Sequence, residues 1–254
     1  MKSLVANMIT GENLMNNWLY DPNVTFQMWG KEHILTIFFI ILIIFCVYFF
    51  RNRLQPYRKI IRLVVGWSLI VSRLSLDLWY VITDQWSLQS SLPLELCSIA
   101  SLLCGIMLIT KNYSLFEIGY FIAIGGATQA ILTPDLNFGF PQYRFLQFFL
   151  DHMLLVLAPL IMIWLYRFTI TRKSLTKSFI TLNVIAGIVF VINLLFSANY
   201  MFLRQKPRGP SLLDFLGPYP YYIFSLEIVA LIIFIILYLP FVRKPSSSHT
   251  KSSS

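Results

Sequence analysis

The chain has 254 residues, 57% hydrophobic and only 12% charged, with a mean hydropathy of +0.69. Soluble globular domains carry about a quarter charged residues, so this composition excludes an ordinary soluble domain and points to a polytopic membrane protein. The formal charge of +9 would suit nucleic acid, but the Lys and Arg residues gather at the ends of apolar runs, a pattern of membrane topology rather than of nucleic-acid binding.

Residues 1–32 are mostly polar and lack an apolar core of signal-peptide length. They are expected to form an extracytoplasmic segment, with the first span acting as the insertion signal. A hydrocarbon core of ~30 Å needs about 20 apolar residues per helix. Seven runs are read as spans: 33–50, 60–82, 92–110, 114–132, 144–167, 175–198 and 218–240. The linkers are short, and the one after the fourth span carries the turn-rich stretch "LTPDLNFGFP". No internal repeat is visible, which weighs against an inverted-repeat transporter. The tail, 241–254, contains the low-complexity "KPSSSHTKSSS" and is expected to be disordered, with His249 solvated. The fold class read from the sequence is therefore all-α, a seven-helix transmembrane bundle in one domain over 33–240.

Lys and Arg placement sets the expected direction. Arg51, Arg53, Arg58 and Lys59 follow the first span, and Arg167, Arg172, Lys173 and Lys177 surround the fifth linker. With Arg243, Lys244 and Lys251 of the tail they fall on one side, read as cytoplasmic, which puts the N-terminus outside. Arg204, Lys206 and Arg208, in "LRQKPRGPSLLD", go against that majority. On the outer side they would form a basic lip, and Arg binds phosphate bidentately.

Ionisable side chains inside a membrane are costly unless paired or wetted, so they mark candidate sites. With the N-terminus outside, Arg73, Asp77, Glu95, Gln129, Asp151, His152, Asn193 and Glu227 all fall in the outer halves of their helices. Glu117 and Asn183 lie toward the cytoplasmic half. Eight polar residues at one level imply a shared polar cavity open to the outer side. Arg73 and Asp77, four apart, can pair within one helix. Cys46, Cys97 and Cys104 all lie in apolar runs, which is not a disulfide framework. His152 and Cys97 are at depths within one helical turn of each other. A neutral imidazole can take the proton of such a thiol and make it nucleophilic. Asp151 points roughly 100° away around its helix, so Glu95 or Glu227 is the expected group to orient His152. His33 reads as an interfacial residue beside Trp29.

Two stretches, "LTPDLNFGFPQYRFLQFFLDHMLLVLAPLIMIW" and "NYMFLRQKPRGPSLLDFLGPYPYYI", resemble the YwaF-type bacterial integral membrane proteins. Those are in turn similar to animal transmembrane protein 164. The resemblance spans roughly residues 26–240 and implies a multi-pass protein of the bacterial cell membrane. It also implies phospholipid acyl transfer without acyl-CoA, carried by a Cys and a His. The family His falls on His152. The family Cys follows a Pro matched by Pro93, so its position is Leu94 here, and the next position, a His in the animal protein, is Glu95. Leucine cannot form an acyl intermediate. Cys97, one turn deeper on the same face, is the available thiol.

The leading expectation is a phospholipid acyltransferase working from the outer leaflet, with Cys97 as nucleophile and His152 as base, or with His152 alone activating water or a lipid hydroxyl. Membrane phospholipids are then the partners, and no cofactor, metal or nucleic acid is expected. The competing expectation is a binding or transport protein whose acidic cavity holds a small polar or cationic ligand. A rhodopsin-like receptor is poorly supported, since the seventh span has no Lys to hold retinal as a Schiff base.

Overall fold

The computed structural model describes residues 18–207 and 211–242, so residues 1–17, 208–210 and the tail 243–254 lie outside it. Seven long helices run through the described residues: α1 Lys31–Phe49, α2 Arg58–Ile82, α3 Leu96–Thr110, α4 Tyr113–Leu132, α5 Tyr143–Tyr166, α6 Arg172–Phe196 and α7 Tyr221–Tyr238. No strand occurs among the described residues, only an isolated bridge between Thr25 and Phe138. The apolar runs predict these helices closely except at the third. There α3 begins at Leu96, four residues later than expected, because Pro93 and the extended Glu95 hold the preceding chain out of the helix.

Five helices (α1, α4, α5, α6, and α7 with its following turn) are long and apolar enough to cross a membrane. Helix α2 has the length but also carries Arg58, Lys59, Arg62, Arg73 and Asp77. Helix α3 is apolar but has only 15 residues, a rise of ~22 Å against a core of ~30 Å.

Burial sorts the helices into inner and outer ones. The most apolar window of α5 is 67% buried, against 11% for α1 and α7. Helix α5 packs on α2, α3 and α4 and forms the axis of the bundle. The outer helices expose Phe, Ile and Leu, including Phe38, Phe39, Ile188 and Phe224. In water that surface would be untenable, and in lipid it is the expected exterior.

Small residues set the closest helix crossing. A Cβ on Gly105 of α3 would stand 2.7 Å from Ile70 Cγ1 and 3.1 Å from the Gly66 carbonyl oxygen of α2. The two backbones therefore meet where neither carries a side chain, the usual device for tight packing in membranes.

His33 corrects its expectation. It is fully buried rather than interfacial. Its Nδ1 accepts the Trp29 N–H at 3.0 Å and its Nε2 donates to the Ile131 carbonyl at 2.8 Å. Both ring nitrogens are thus used, and the neutral ring fastens the start of α1 to the end of α4.

Candidate functional site

A cavity of about 470 Å³ opens among α2, α3, α4, α5, α6 and α7. Arg73, Glu95, Cys97, Gln129, Asp151, His152 and Glu227 line it. Its charged groups are concentrated toward one end, where apolar side chains such as Leu92, Met201 and Leu203 also line it, and its far end is apolar. Glu95, Asp135 and Arg144 lie where α3 and α5 begin. Ile122, Leu182 and Phe234 line the other end, ten, fourteen and thirteen residues from the helix ends that lie beside the starts of α3 and α5, which is ~15–21 Å at the helical rise. A cavity graded in this way suits an amphiphile lying along the bundle.

Two lining residues bear reactive groups. Nδ1 of His152 lies 2.7 Å from the carbonyl oxygen of Phe148, one turn earlier. A carbonyl only accepts, so Nδ1 carries the proton and the lone pair of the neutral ring is on Nε2. The ring also lies against Phe148, with centroids 4.1 Å apart. Expectation and structure part here. The orienting group is a backbone carbonyl and neither Glu95 nor Glu227. Glu95 Oε2 accepts the Met201 N–H at 3.0 Å, and Glu227 Oε2 accepts from Asn183 Nδ2 at 2.9 Å.

Cys97 stands in the first turn of α3, with its Sγ 3.7 Å from where a Cβ on Gly126 would be. Ser101, one turn on, donates to Asp151 Oδ2 at 2.7 Å, so α3 and α5 touch at the level of His152. Leu94 lies in a separate apolar cluster with Val189, Ala198, Tyr200 and Leu203. Cys97 is therefore the thiol facing the cavity.

Other expected residues have structural partners instead. Arg73 pairs with Asp77 and donates to Ser98 Oγ at 3.3 Å and to the Ser91 carbonyl at 3.1 Å. Asp77 does not line the cavity, nor does Asn193. Asn193 is buried and holds the loop after α6: its Nδ2 donates to the Tyr200 carbonyl and its Oδ1 accepts the Tyr200 N–H, both at 2.9 Å. Helix depth predicts level but not facing, so the placement of these two in the cavity is corrected. Asn183 and Glu227 were expected in opposite halves. Each is eleven residues from the same end of the bundle, so the pair lies at mid-depth.

The proposed basic lip is also partly occupied. Arg204 Nη1 donates to the carbonyls of Asn193 and Ala198 at 3.1 and 3.3 Å, closing the end of α6. Lys206 stands over the Tyr222 ring at 5.7 Å. Arg208 lies outside the described residues.

Sequence reasoning missed Arg144, Gln147 and Asp135, all of which line the cavity. They sit at or near a helix end, where charged and polar residues are ordinary and give no signal. Asp135, in the loop before α5, has its carboxyl raised above the usual aspartate range by burial. Among the described residues, no three His, Cys, Asp or Glu side chains converge as a metal site.

Comparison with known proteins adds one match. No curated protein and no solved structure matches the chain. A model of the TMEM164 family matches residues 28–238, which includes all seven helices and the whole wall of the cavity. By that match, and with the apolar helices described above, the chain is a membrane protein of the TMEM164 family.

Proposed function

We propose that this protein transfers an acyl chain between membrane lipids, with Cys97 as nucleophile and His152 as general base. The observation that carries this reading is that Cys97 and His152 line one cavity, and that the Phe148 carbonyl holds the His152 Nδ1 proton and leaves the Nε2 lone pair without a hydrogen-bond partner among the described residues. In the first step Nε2 takes the thiol proton and sulfur attacks the ester carbonyl. The ester C–O bond breaks, and the leaving lysolipid alkoxide takes the proton from the imidazolium. In the second step an acceptor hydroxyl gives its proton to Nε2 and attacks the thioester, and the thiol regains that proton as it leaves. Nothing is oxidised and no cofactor is consumed.

The seven helices are all assigned as spans, with the N-terminus outside and the C-terminus in the cytoplasm of a bacterial cell. The charge distribution supports this direction: Arg51, Arg53, Arg58, Lys59, Arg167, Arg172 and Lys173 lie at one end of the bundle. The mouth of the cavity then faces the outer leaflet, where phospholipids are its partners.

A second reading is a carrier for a small polar or cationic ligand. It is favoured by the carboxyl groups of Glu95, Asp135, Asp151 and Glu227, which all line the cavity. The test is transfer of a labelled acyl chain from phospholipid to lysophospholipid by the full-length protein in vesicles. Acyl transfer that disappears in Cys97→Ala supports the enzyme. Absence of transfer, with ligand flux indifferent to Cys97→Ala, supports the carrier.

A further inference from the structure

We propose that Arg144, with Arg73 beside it, forms the site at which the cavity holds a phosphate group. For its substrate class, a phosphate-bearing lipid, the proposal rests on the reading of the cavity as a lipid site. The binding chemistry stands on the side chains themselves.

Arg144 is in the first turn of α5 and lines the polar end of the cavity. Its Nη1 donates to the Gln147 side chain, and its Nε is buried with no partner. Among the described residues no carboxylate makes an ion pair with it. The guanidinium is held 6.0 Å above the Trp79 ring, a contact that fixes the cation without neutralising it.

Arg73 differs in a useful way. It is 5% exposed and already paired with Asp77, yet its Nε is also buried without a partner. Two guanidinium groups thus line one wall, one neutralised and one not, each with an unsatisfied N–H. Arg144 is half-buried, with its Nε buried; a guanidinium is always charged, and removing it partly from water without a counter-charge is costly. A phosphate oxyanion supplies that charge, and its geometry matches the planar fork of arginine.

Among the described residues none of the nearby acids comes within 4.0 Å of Arg144 as an ion pair: Asp151 Oδ2 accepts from Ser101 and Glu95 accepts the Met201 N–H. Asp135 lines the same end but makes no ion pair. Apolar Ile122, Leu182 and Phe234 line the far end and are placed to receive a hydrocarbon chain from a headgroup seated on Arg144. The phosphate site is thereby moved from the loop carrying Arg204, whose guanidinium closes α6, into the cavity.

The experiment uses full-length protein in detergent with Cys97→Ala, so that no acyl transfer consumes the probe. Binding of lysophosphatidic acid is compared with that of a monoacylglycerol of the same chain, with inorganic phosphate as competitor. The phosphate-bearing lipid is expected to bind at least tenfold more tightly. Arg144→Gln should remove that preference while leaving monoacylglycerol binding in place. Arg144→Lys, which keeps charge but loses the fork, should fall between and serves if the Gln variant does not fold. Competition by inorganic phosphate would identify phosphate alone as a sufficient ligand, and its failure to compete would identify the lipid headgroup. Equal binding of the two amphiphiles, or a preference unchanged by both Arg144 variants, would overturn the proposal. Phosphate-selective binding by a protein that transfers no acyl chain would leave this site standing and remove only the catalytic reading.

Discussion

Ser101 of α3 donates its hydroxyl hydrogen to Asp151 of α5 at 2.7 Å, and this bond joins the helix turns that carry Cys97 and His152. Ser101 is four residues beyond Cys97, and Asp151 adjoins His152. The acid that looks out of place in an apolar helix thereby sets the register between the two proposed reacting groups. It does so from a side chain about 100° around the helix from the imidazole, which donates its own hydrogen bond to the Phe148 carbonyl instead.

Removing the hydroxyl should therefore be felt in stability before chemistry. Asp151 Oδ1 is already buried without a partner, and Ser101→Ala would leave Oδ2 short as well. Leaving a buried acceptor unsatisfied costs about 1–3 kcal/mol. Thermal melting of the purified protein should show a lowered Tm for Ser101→Ala, with Ser101→Thr close to the parent. An unchanged Tm would mean that the bond does not hold α3 on α5.

Among the described residues His152 makes a single hydrogen bond, through Nδ1, so replacing it should cost little stability and much activity. A general base contributes roughly 10²–10⁴-fold. His152→Gln should lower acyl transfer by at least about a hundredfold with Tm nearly constant. A loss of transfer that merely followed loss of fold would argue against the assigned role.

The crossing of α2 and α3 gives a steric prediction. Gly105→Val would place a branched side chain where even a Cβ meets Ile70 at 2.7 Å. The helices must separate, and overpacking of this kind costs roughly 1–3 kcal/mol. Gly126→Ala, in the cavity wall, is the control, because its Cβ would meet Leu96 and Cys97 at 3.6 and 3.7 Å, ordinary contact distances. Melting curves should show Gly105→Val destabilised and Gly126→Ala as stable as the parent or more so.

Asp135 gives a pH prediction. Burial raises its carboxyl pKa above the unfolded value, so the folded state binds the proton more tightly than the unfolded state. Its contribution is therefore most favourable below the unfolded aspartate pKa. Stability is lost as pH rises through the window up to the folded value. Asp135→Asn should raise Tm at neutral pH and lose that advantage in acid. Equal shifts at both pH values would contradict the assignment.

The helices were legible because each apolar run has the length that a bilayer demands. Helix α3 is the exception. Leu92 and Leu94 prolong its apolar run, but they pack under the loop around Tyr200 instead of entering the helix. At the site, His152, Asp151 and Cys97 were legible because ionisable groups and thiols stand out against hydrocarbon. Asn193 and Arg204 were misread because sequence gives depth but not the partner. Asn193 turns to the Tyr200 backbone, and Arg204 turns back onto the end of α6. Arg144 was invisible for the opposite reason, since an arginine at a helix end needs no explanation until its missing counter-charge is seen.

The central claim is that Cys97 carries the acyl chain. Intact-protein mass spectrometry after incubation with an acyl-donor phospholipid, without acceptor, tests it most directly. The account predicts an added mass of one acyl group on Cys97, removed by hydroxylamine, absent in Cys97→Ala and strongly reduced in His152→Gln. Acyl transfer that continues in Cys97→Ala, with no adduct on the parent protein, would contradict it.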